Sequence, residues 1–96
     1  MILTLRLRPG LPSLRGEDAH ASIRRALAES SKGHAFRVAE RAIEPDHLHL
    51  LARANSARAL ARGMIGVSVR LARRLNRLWN RSGAVFADRY SARELG

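Results

Sequence analysis

Two histidines separated by one leucine, in Asp46-His47-Leu48-His49-Leu50-Leu51, are the residues of this sequence best suited to do chemistry. In an extended strand alternate side chains share a face, so His47 and His49 are expected to project together, with Leu48 and Leu50 on the other side. Their Cα atoms would stand roughly 6.5–7 Å apart. Both rings could then lean onto one divalent cation, leaving positions open for water or a phosphate oxygen. The same spacing also fits a half-buried strand whose histidines merely face water, and spacing alone does not choose. Asp46 reads as a turn residue, an acceptor orienting an imidazole, or a ligand. His20 and His34, on a helix and in a loop, read as surface residues.

The charge balance adds a second chemical signal. Lys and Arg total 18 against 8 Asp and Glu, a formal net charge of +10. All but Lys32 of these cations are arginine, whose planar guanidinium grips phosphate oxygens as a fork. A polyanion, nucleic acid first, is the expected partner, while a solvated arginine surface from GC-rich coding is the bland reading. Arg58, Arg62, Arg73 and Arg77 lie in a long helical segment, and Arg6, Arg8, Arg41 and Arg53 on strands; Arg53 shares the histidine face by parity. Trp79 and Tyr90 could stack on bases, though at the end of an apolar stripe Trp79 is more often core. Four aromatic residues are too few for an RNA-recognition platform.

Composition narrows the remaining classes. The 96 residues, 46% of them hydrophobic, suit one domain with a modest core. Without cysteine there is no disulfide framework or thiolate metal site, which fits a reducing cytoplasm. No apolar run approaches the ~20 residues of a membrane span, and Met1-Ile2-Leu3-Thr4-Leu5-Arg6 is not a secretory signal.

The elements that must carry the histidines follow from periodicity. Leu3, Leu5 and Leu7 alternate with Thr4, Arg6 and Arg8, a half-buried strand ended by Pro9-Gly10-Leu11-Pro12. From Ser13 or Gly16 a helix begins, with Glu17 and Asp18 in its first turn, an apolar stripe of Ala19, Ile23, Ala26 and Leu27, and a stop at Lys32-Gly33. Ala35 to Ile43 reads as a second strand with Phe36 and Val38 inward. Glu44-Pro45-Asp46 then forms a hairpin link to a third strand, His47 to Ala54. After Asn55 and Ser56, both good caps, Leu60, Met64, Val67, Leu71, Leu75 and Leu78 form one helical stripe. Gly63 and Gly66 are expected to mark close approach to the sheet. Arg81-Ser82-Gly83 ends that helix, and Ala84 to about Arg93 supplies a last strand carrying Val85, Phe86 and Tyr90. The order β-α-β-β-α-β predicts an α+β, ferredoxin-like domain. Its four-stranded antiparallel sheet would carry two helices on one face, with both histidines on the open one.

Three segments in this order carry a resemblance: Pro45-Asp46-His47-Leu48-His49-Leu50-Leu51, the basic helix containing Arg70-Leu71-Ala72-Arg73-Arg74-Leu75-Asn76-Arg77, and Gly83-Ala84-Val85-Phe86-Ala87-Asp88-Arg89-Tyr90. With the opening Leu3-to-Arg15 stretch, they resemble the single-tyrosine HUH transposases, nearest the branch related to transposases of repetitive extragenic palindromes. The resemblance implies cleavage and rejoining of single-stranded hairpin DNA. It also implies a Mg²⁺ or Mn²⁺ ion held by His47 and His49, and a tyrosine on a later helix that attacks to form a 5′-phosphotyrosine.

The chain departs from that pattern in two places. It is expected to stop at Gly96 before the nucleophile helix, so that residues 1–96 form one domain incomplete for catalysis. Tyr90, the sole tyrosine, matches the structural Arg-Tyr position; only were residues 88–95 helical would Tyr90 and Glu94 share a face as nucleophile and ligand. Asp46 stands where asparagine is usual. The readings are thus a DNA- and metal-binding transposase domain, nucleoid-associated in the cytoplasm, or a non-catalytic hairpin binder, or a structural module that dimerises through its long helix.

Overall fold

The computed structural model describes residues 1–94 and has the order β1 (Ile2–Arg6), α1 (Glu17–Ser30), β2 (Phe36–Ile43), β3 (His47–Ala54), α2 (Ala57–Leu78) and β4 (Ser91–Arg93). The strands form one antiparallel sheet in the order β2-β3-β1-β4, the expected ferredoxin-like arrangement. Leu3 and Leu5 face Leu50 and Leu48 across the central β1–β3 pair, and all four are buried. Both helices cover this face. Ile23, Ala26 and Leu27 of α1 and Met64, Val67, Leu71 and Leu75 of α2 close one continuous core with them. Leu14, in the loop after β1, is also buried, and its N–H donates to the Pro45 carbonyl, tying that loop to the hairpin link.

The helix ends follow local chemistry. Ser56 caps α2 by accepting from the Ala59 N–H, satisfying a donor that the first turn leaves free. The helix stops sooner than Arg81. Trp79 is its C-cap and Asn80 takes a left-handed φ of 52°, so Leu78 turns to the surface while Trp79 packs on the core. Gly63 does mark a close approach, because a Cβ there would collide with the Phe36 ring. Gly66 does not touch the sheet; its neighbour is the Arg70 guanidinium.

The last strand is also shorter than its sequence pattern suggests. Val85 is buried and accepts from the Arg8 N–H, Phe86 bridges to Leu7 and the Ala87 N–H donates to the Arg6 carbonyl, but residues 88–90 leave the sheet and the regular pairing with β1 resumes at Ser91–Arg93. Leu7 therefore lies in an isolated bridge beyond β1.

Candidate metal and nucleic-acid site

Strand β3 alternates as its sequence demands: Leu48, Leu50 and Ala52 are buried, while His47, His49 and Leu51 are only partly covered on the open face. Register then supplies the neighbours. Thr4 lies opposite His49 and Arg6 opposite His47. The two imidazole centroids are 4.7 Å apart, edge to face at 81°. His47 and His49 are therefore brought together on the uncovered side.

Each ring has its Nδ1 engaged. His47 Nδ1 lies 2.8 Å from Asp46 Oδ1, and His49 Nδ1 lies 2.9 Å from the Thr4 hydroxyl. An ionised carboxylate only accepts, so His47 donates from Nδ1 and its Nε2 keeps a free lone pair, the arrangement in which outer partners orient metal-binding histidines. The Thr4 hydroxyl can donate or accept, and it holds the His49 ring in either role. The hydrogen bond from His47 is the largest effect on the Asp46 carboxyl and holds it below the usual carboxylate range; desolvation opposes it, and the Arg6 guanidinium adds to it more weakly. Asp46 is thus more than a turn residue.

Two imidazole nitrogens are a partial donor set, since no group of three or more His, Cys, Asp or Glu side chains converges among the described residues. Nitrogen donors suit Mn²⁺ better than the harder Mg²⁺, with water or phosphate oxygens completing the shell.

The arginines divide between the two sides of the sheet. Arg6 pairs with His47, and Arg53 faces Arg37 across β2–β3, so these three share the open face. Arg93 joins them across from Ile2. Arg8 is exposed just past β1. Arg41 is displaced: a bulge between Val38 and Glu40 sets Arg41 against Leu50, on the helix side of an edge strand, and sets Glu40 against Leu51 on the histidine side. Arg58, Arg62, Arg73 and Arg77 belong to α2, in the layer that covers the leucine face, and do not meet the imidazoles. Thr4, Arg37 and Arg93 are additions to the residues anticipated from the sequence. Alternation alone marks their faces, but only register assigns their neighbours.

Tyr90 packs partly buried on the core side, and residues 91–93 are strand, so Tyr90 and Glu94 do not share a helical face.

No protein-family profile matches this sequence, and no curated protein does. Among solved structures the chain is similar to a "putative transposase" from Deinococcus radiodurans R1, with a TM-score of 0.79 at 15% identity, over 99% of this chain and 77% of that one. The two share a fold. At that identity the likeness speaks for the backbone path, and the roles of side chains rest on their own geometry.

Proposed function

We propose that this chain is a metal- and DNA-binding domain of the HUH transposase kind, acting on single-stranded DNA that carries a hairpin. The observation that supports it most directly is the imidazole pair on the open face, each ring held at Nδ1. His47 and His49 would hold Mn²⁺ or Mg²⁺ through Nε2, and the ion, when bound, would neutralise charge building on a scissile phosphate. Arg6, Arg53, Arg37 and Arg93 surround that face and would position the flanking phosphates. Arg8 would extend this contact beyond β1.

A hairpin binder without strand cleavage is the second reading, favoured by Tyr90 lying against the core and away from the imidazoles. Self-association is favoured separately by Ile65 and Val69, 63% and 42% exposed one turn apart on α2. No helix among the described residues is long and apolar enough to cross a membrane.

The test is a Mn²⁺ titration of the wild type against His47→Ala plus His49→Ala, with a labelled hairpin oligonucleotide present. Mn²⁺ binding is expected in the wild type and lost in the double variant. Equal affinity in both removes the metal site.

A further inference from the structure

Three shallow concavities meet at the edge of the sheet, and each has Glu40 and Arg41 of β2 in its wall. One, of about 300 Å³, includes His49, Ala42 and Leu51 on the open face. The second, of about 570 Å³, adds Arg15 and His20 from the start of α1 and the loop before it. The third, of about 470 Å³, adds Arg24 and Arg25 farther along α1 and Ser31 at its end. Sharing Glu40 and Arg41, they run from His49, over the β2 edge, to the flank of α1. Arg15, Arg24, Arg25 and Arg41 set four guanidinium groups along it against one carboxylate, Glu40.

These guanidinium groups are not consumed by the fold. Among the described residues, Glu29–Arg74 is the one arginine–carboxylate pair, and Arg70 and Arg81 are hydrogen-bonded within the protein. No ion pair or side-chain hydrogen bond is found for Arg15, Arg24, Arg25 or Arg41 among the described residues. The bulge matters here, because uninterrupted alternation from Val38 would have placed Arg41 on the histidine face and opened a gap in this row.

We propose that the cleft between the β2 edge and α1 is a binding track for the sugar-phosphate backbone of DNA, delivering the strand to the His47–His49 face. The proposal rests on the DNA-binding reading above and assigns its principal electrostatic contact to this edge rather than to α2. Surface guanidinium groups that neutralise phosphates release counterions, so each contact contributes to the salt dependence of binding.

The experiment compares three folded proteins, matched by circular dichroism and thermal unfolding: the wild type, Arg24→Ala plus Arg25→Ala plus Arg41→Ala, and the charge-matched Arg62→Ala plus Arg73→Ala plus Arg77→Ala. Binding of a fluorescent single-stranded oligonucleotide containing a hairpin is followed by anisotropy across a KCl series. The edge variant is expected to bind on the order of 10-fold more weakly, with a slope of log affinity against log salt shallower by about 2. The α2 variant should stay close to the wild type. An edge variant with the wild-type slope, or an α2 variant that loses as much, overturns the track while leaving DNA binding intact. A wild type with no salt-dependent binding overturns both.

Discussion

His47 reaches the open face with one ring nitrogen already committed to Asp46, and His49 with one committed to Thr4. The carboxylate fixes which nitrogen of His47 remains free, whereas a hydroxyl fixes orientation without deciding where the proton sits. Removing the carboxylate should therefore weaken a metal held by His47, and an amide should restore most of the orientation. Asp46→Ala is expected to lower Mn²⁺ affinity about 10-fold, and Asp46→Asn to retain most of it, measured by electron paramagnetic resonance titration. Equal affinity in Asp46→Ala and wild type would remove the orienting role. The sign with pH is that of a depressed carboxyl: the contact contributes above the ordinary carboxylate value and is lost only as pH falls through the lower value of the folded protein. At this scale the sequence showed the shared face of the histidines, through a two-residue period that any strand imposes. The partner of His49 was invisible, because Thr4 lies 45 positions away and meets it only through the β1–β3 register.

Helix α2 shows what one element can and cannot announce. Its stripe of Met64, Val67, Leu71 and Leu75 is legible as spacing, and all four are fully buried. Its two glycines look alike in sequence but differ in structure. At Gly63 a methyl group would strike the Phe36 ring, whereas at Gly66 it would meet only the mobile end of Arg70. Gly63→Ala is therefore expected to destabilise by about 1–3 kcal/mol, the collision outweighing the gain in helix propensity. Gly66→Ala should be neutral or stabilise by up to about 1 kcal/mol. Urea unfolding of the two variants checks the pair, and stabilisation of both would contradict the packing of Phe36 on α2. The end of α2 was less legible: Arg81-Ser82-Gly83 is a fair stop signal, but Asn80 in its left-handed conformation turns the chain earlier and brings Trp79 onto the core.

Across the molecule, the net charge of +10 is spread over both faces and the β2 edge, and among the described residues Arg74 is the one arginine paired with a carboxylate. Repulsion among like charges opposes the compact state and is screened by salt. Thermal unfolding should therefore move to higher temperature as KCl is raised from low to moderate concentration. A midpoint that falls with salt would mean that attractive pairs dominate the surface. Composition made the cationic character plain, yet it did not say which arginines act together. Those of α2 and those of the open face occupy different layers, separated by the core that the leucines require.

Local periodicity was enough to determine the order of elements, the leucine face, the long helical stripe and the common direction of His47 and His49, because each follows from backbone geometry over a few neighbouring residues. The tertiary structure alone decided that Thr4 meets His49, that a bulge carries Arg41 to the sheet edge beside α1, and that the last strand spans only Ser91–Arg93. Those outcomes depend on how distant strands align and on which side chains the shared core accepts. A bulge of one residue reverses every face that follows it without leaving a distinctive mark in the chain.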